Sequence, residues 1–154
     1  MPDTFGSMDA AALQRLFDRD AIREHLDHFA YCVDDKRWRD WENCFTETAT
    51  VTFPFAAYEG RYGLAQWGET ALAPFQATHH LSSNLAITIA GDDAEVRSKL
   101  LAAHVPQSEH TDNHFDIAGT YHWRLVRTPD GWRIQSLRLD ITYTNGLDET
   151  GLAG

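Results

Sequence analysis

Apolar residues recur at helical spacing through the first third of the chain and at every second position through its last half. That change of period predicts helices packed on a sheet. Ile22, Leu26, Phe29 and Val33 fall at i, i+4, i+7 and i+11. Together with Leu13, Leu16 and Phe17 they predict a helix over residues 9 to 33, with Asp18 able to cap a new turn and allow a break there. Trp38, Trp41 and Phe45 predict a second short helix over 36 to 46, forming a hairpin with the first. Thr48 to Phe55 has strand composition, and Pro54 marks its edge or end. A third helical segment holds Leu64, Trp67, Ala71 and Leu72 and stops at Pro74.

From Thr78 the period is two. Leu85, Ile87 and Ile89 alternate with smaller residues, Gly91-Asp92-Asp93 turns the chain, and Glu95 to Val105 returns as a strand. In that strand Val96, Ser98, Leu100, Ala102 and His104 share one parity, so His104 is expected to face inward. Residues 106 to 115 read as a loop. Phe115 to Arg127 and Trp132 to Tyr143 read as long strands joined by the turn Thr128-Pro129-Asp130-Gly131. The predicted class is α+β, with helices on one face of a curved antiparallel or mixed sheet. A single domain over 1–154 follows, with residues 1–8 and 145–154 loosely held.

Composition changes this picture mainly by exclusion. A net charge of -10 opposes binding to nucleic acid or to an anionic membrane surface. No apolar run approaches the roughly 20 residues of a membrane span, and Met1 to Ser7 does not resemble a signal peptide. Cys32 and Cys44 form no metal or redox motif, so a reduced, cytoplasmic protein is the default. The expected partner is a small molecule or a second copy of the chain. The apolar set Leu81, Leu85, Ile87 and Ile89 on one strand face, with neighbouring strands burying the opposite face, predicts a homo-oligomer, dimer or trimer. No phosphate-cradling glycine loop occurs, and His104, Glu109, His110, Asp112, His114 and Asp116 match no metal-ligand spacing. Neither a metal nor an organic cofactor is expected.

The candidate chemistry begins at Asp34, one residue beyond the buried stripe. The negative end of the helix dipole there would tend to raise its pKa, although a pair such as Asp34-Asp35 also suits a plain solvated turn. Two histidines compete downstream. Strand alternation places His79 with Leu81, Leu85, Ile87 and Ile89 and so favours His79 for the apolar face, with His80 left open. Arg138 could meet an anionic substrate group, against the plainer reading of a cross-strand surface pair. The tryptophans read first as core, and some of them would suit a pocket for a ring-shaped ligand.

The order of elements, with Tyr31-x-x-Asp34, Trp38, Phe45, Gly60, Thr78-x-His80-x-x-x-Asn84, Gly91-Asp92-x-Ala94 and Gly131-Trp132-Arg133-Ile134, resembles the SnoaL-like branch of the nuclear transport factor 2-like superfamily. The resemblance implies a cone with a deep apolar pocket. Within the group it is most similar to scytalone dehydratase and related cofactor-free dehydratases. That similarity implies an aspartate–histidine pair at Asp34 and His80, with His104 as a further polar group. Two tyrosines of that group fall at Val33 and Phe53 and an asparagine at Thr120; Tyr31 and Tyr58 are near enough in sequence to supply the missing hydroxyls. The implied function is a lyase, a dehydratase of cyclic or polyketide-like carbonyl compounds, with an isomerase, a cyclase or a non-catalytic ligand carrier as alternatives.

Overall fold

The computed structural model describes residues 9–107 and 109–148, so residues 1–8 and most of the expected loose C-terminal tail lie outside the described residues. The chain runs α1 (Ala10–Asp34), α2 (Trp38–Glu42), β1 (Phe45–Phe53), β2 (Ala56–Glu59), α3 (Leu64–Leu72), β3 (Phe75–Ala90), β4 (Asp93–Pro106), β5 (Phe115–Thr128) and β6 (Gly131–Asn145). The strands form one six-stranded sheet in the order β2-β1-β6-β5-β4-β3. Its strands pair antiparallel except β1 on β6, which is parallel. Three helices cover the inner face, α1 lying mainly against β3 and α2 against α3.

The stripe predicted for α1 is the one that is buried: Ile22, Leu26, Phe29 and Val33 are at most 5% exposed. Phe29 anchors it, with its ring 5.8 Å from Trp41, 5.9 Å from Phe45 and 5.1 Å from Trp123. Truncating such a residue removes transfer energy and opens a void, a loss of about 3–5 kcal/mol. Phe45, expected in the second helix, instead begins β1, and α2 ends at Glu42. β2, four residues of mixed exposure, carried no alternating signal.

No break occurs at Asp18. Its carboxylate is turned inward and accepts from both terminal nitrogens of Arg127 at 2.7 and 2.9 Å and from the Trp132 indole at 3.3 Å. The guanidinium also lies 4.5 Å over the Trp132 ring. A residue read as a cap is thus a long-range tie between α1 and the β5–β6 hairpin.

The decisive irregularity is in β3. Ser83 pairs with Lys99 but Ala86 with Arg97, so β3 carries one extra residue, and Asn84 within it has φ of 55°. Such a bulge reverses which parity faces the core. Before it, Thr78, His80 and Ser82 face inward; after it, Leu85, Ile87 and Ile89 do. This corrects the expectation that Leu81 shares a face with the last three. Leu81 is 51% exposed on the outer face, opposite Leu101, which lies opposite Ala118, which lies opposite Tyr143.

Candidate active site

The end of α1 sets the first group in place. Lys36 adopts the left-handed conformation at φ 56°, and the N–H groups of Lys36 and Arg37 donate to the carbonyls of Val33 and Cys32. That double bond closes the helix immediately after Asp34. The Lys36 ammonium then reaches across to the carbonyl of Phe75 at 3.0 Å, fastening the turn to the start of β3. Asp34 is thereby brought over the inward-facing residues of β3.

Three donors converge on that carboxylate. His80 gives its backbone N–H at 2.9 Å and its Nδ1 at 2.7 Å, and the Thr78 hydroxyl donates at 2.9 Å. Burial pushes the Asp34 carboxyl up, but the hydrogen bonds from His80 and Thr78 outweigh it and hold it below the usual carboxylate range. The net shift is downward rather than the rise expected at the helix end, and Asp34 is held ionised. Because a carboxylate only accepts, Nδ1 of His80 carries the proton and Nε2 is the unprotonated nitrogen of the neutral ring.

His104 stands edge-on to this ring, the centroids 5.7 Å apart. Its Nδ1 donates to the Phe115 carbonyl at 3.1 Å, which leaves its Nε2 also unprotonated. Burial and the neighbouring His80 push its pKa down to about 4. At neutral pH His104 is consequently a neutral ring.

His80 and His104 share the wall of a cavity of about 390 Å³. The rest of that wall is mostly apolar and strongly aromatic, with Phe29, Val33, Trp38, Trp41, Phe53, Phe55, Trp67 and Tyr121 contributing. α3 can lie close because residue 68 is glycine: a Cβ there would sit 3.0 Å from Trp41 and 3.2 Å from Trp38. A cavity of this size, lined by rings and with few polar groups, suits a compact cyclic ligand.

A profile of the SnoaL-like domain matches residues 14–138, from the first turns of α1 into β6. The chain belongs to the SnoaL-like domain family. An uncharacterised protein of Mycobacterium bovis is 28% identical over 125 residues, 80% of this chain and 84% of its own. Among solved structures, the proposed scytalone dehydratase of Novosphingobium aromaticivorans superposes with a TM-score of 0.80 at 24% identity, covering 87% of this SnoaL-like domain and 90% of that chain. A type 2 hexachlorocyclohexane dehydrochlorinase, LinA, superposes with a TM-score of 0.78 at 21% identity, covering 89% and 93%. At these identities the superpositions establish a shared nuclear transport factor 2-like fold.

Of the residues singled out from the sequence, the SnoaL-like domain gathers Asp34, His80, His104, Val33 and Phe53 around or beside one cavity. Others lie elsewhere. Tyr31 is 66% exposed on the solvent side of α1. Tyr58 packs on Trp67, but its hydroxyl donates to the Tyr62 carbonyl at 2.8 Å and the residue does not line the cavity. Thr120 has outward parity on β5 and accepts from Lys99 on the outer face. Arg138 pairs with Asp140 at 2.6 Å, two residues along on the same exposed face of β6.

The group that the sequence reading missed is Tyr121, next to Thr120. It shares its parity with the buried Ile117 and Trp123, so period two could have found it. Thr78 was likewise visible in the Thr-x-His pattern, without its role as a second ligand of Asp34.

Proposed function

We propose that this protein is a cofactor-independent lyase that removes a proton next to an electron-withdrawing group on a cyclic substrate and expels a β-substituent. His80 Nε2 takes the proton. Asp34 fixes the tautomer and orientation of the ring and stabilises the imidazolium that forms, the division of labour of other histidine–aspartate pairs. The departing group is hydroxide, leaving as water with the proton that His80 returns. The observation that carries this reading is the 2.7 Å bond from His80 Nδ1 to an ionised Asp34, made at the wall of an aromatic cavity. The fold neighbours described as a dehydratase and a dehydrochlorinase support an elimination over other reactions of the fold.

The test uses β-hydroxy ring ketones of one or two rings in D2O. Deuterium at the α-carbon, read by NMR, reports proton removal, and enone absorbance reports expulsion of water. Both signals are expected from the parent protein. Exchange without enone would replace the dehydratase with an isomerase or cyclase, and ligand binding with neither signal would make the protein a carrier.

Assembly belongs to the same proposal. The row Leu81, Leu101, Ala118 and Tyr143 crosses four strands on the outer face, with Leu81, Leu101 and Tyr143 each at least 44% exposed. An exposed apolar strip of this kind marks an interaction surface, and the occupant we infer is a second copy of the chain, in a dimer or trimer. Sedimentation showing a dimer or trimer for the parent and a monomer for Leu101→Glu is expected; a parent that is monomeric at micromolar concentration removes the idea.

A further inference from the structure

Tyr121 is 5% exposed, lines the cavity and has no hydrogen-bond partner for its hydroxyl among the described residues. A hydroxyl on a cavity wall with no protein partner is free to bond a ligand. The Trp41 indole N–H is also unpartnered, but it is closed off from solvent; the Tyr121 hydroxyl is not. Its ring is held in place by Trp123 at 4.8 Å and by its cross-strand neighbour Leu139. The wall it belongs to is mostly carbon, with His80, His104 and Thr70 as its other polar side chains.

We propose that the Tyr121 hydroxyl donates a hydrogen bond to an oxygen of the bound ring, making Tyr121 the residue that selects oxygenated rings over hydrocarbon or halogenated rings of the same size. This rests on, and sharpens, the lyase reading. Burial and the charge of Asp34 both push the phenol up, well beyond its ordinary range, so it stays a donor at any working pH. An apolar ring seated in the cavity would strip water from the hydroxyl and give nothing back; a carbonyl oxygen restores the bond. A site built around a buried donor therefore rejects the analogue that lacks the acceptor.

The experiment compares 1-tetralone with tetralin, which differ by that oxygen, on the parent protein and on Tyr121→Phe. Binding is read by calorimetry and by quenching of the tryptophans on the cavity wall. The parent is expected to prefer the ketone by about tenfold or more, and Tyr121→Phe to lose that preference while holding tetralin as well or better. In the infrared, the carbonyl band of 13C-labelled 1-tetralone should move to lower frequency on the parent than on the variant. The parent measurement alone needs no variant to fold. A preference that survives Tyr121→Phe, a parent with no preference, an unshifted carbonyl band on the parent, or no binding of either ring at millimolar concentration overturns the proposal. Since binding requires no turnover, a preference that follows Tyr121 alongside absent proton exchange would sink the lyase reading alone, and the reverse pattern would sink Tyr121 alone.

Discussion

Two aspartates on α1, Asp18 near its start and Asp34 at its end, are both turned inward, both hydrogen-bonded and both held below the ordinary carboxylate range. Their partners separate them. Asp18 is matched by Arg127, a planar cation that stays charged, and is closed in with a Trp132 indole beside it. Asp34 is matched by an imidazole that can gain and lose a proton, and that imidazole borders a cavity. The first arrangement can only hold α1 to the sheet; the second leaves a free ring nitrogen where a ligand would lie. The partner and the adjoining space, more than the carboxylate or its pKa, distinguish a structural tie from a candidate catalytic one.

Exchanging the consequences is the sharpest way to break that comparison. His80→Ala is expected to lower turnover on an active ring ketone by about 10³–10⁴-fold, and Asp34→Asn by a similar factor, with little change in circular dichroism or melting temperature. Asp34→Asn lowering stability while sparing turnover would erase the distinction.

Arg127→Met is expected to do the opposite. It strands the Asp18 carboxylate, and because Arg127 is partly solvated the cost is discounted to about 2–3 kcal/mol. For a chain of this size that lowers the melting temperature by roughly 4–12 °C, read by calorimetry, while turnover per folded molecule stays within about twofold. The Asp18 contribution is present above its unfolded pKa of about 3.9 and is lost as pH falls through the lower folded value.

A smaller effect comes from His104. Its folded pKa of about 4 lies below the unfolded value near 6.5, so between these the unfolded state binds the extra proton and stability falls as pH is lowered from 6.5 toward 4. About 2–3 kcal/mol should be lost over that window, and urea unfolding of His104→Phe should show a flatter pH profile there. The smallest expected effect is at Tyr31, Thr120 and Arg138. Their replacement by Phe, Ala and Ala should leave turnover within about twofold, and a large loss at any one would place it at the site after all.

The sequence made legible what depends on a regular period. The buried stripe of α1, the inward parity of His104 and the long strands of the second half follow from spacing alone, and the SnoaL-like motifs name the fold. Illegible were the features created by exceptions to period. The extra residue at Asn84 reverses the face of β3, which is why alternation favoured His79, whereas the inward residue is His80 and His79 is exposed. Thr120 and Tyr121 differ by one position, and a strand sends neighbours to opposite faces, so Thr120 lies on the outer face while Tyr121 lines the cavity. Asp18 resembled a cap because its partner is 109 residues away in sequence.

The central claim, that Asp34 acts through His80, is tested most directly by a double-mutant cycle on α-proton exchange, measured by NMR in D2O with Asp34→Asn, His80→Ala and both together. Groups that act as one unit are strongly non-additive. The double variant is expected to be no more than about threefold slower than His80→Ala alone. Losses that multiply, or full exchange activity in His80→Ala, would contradict it.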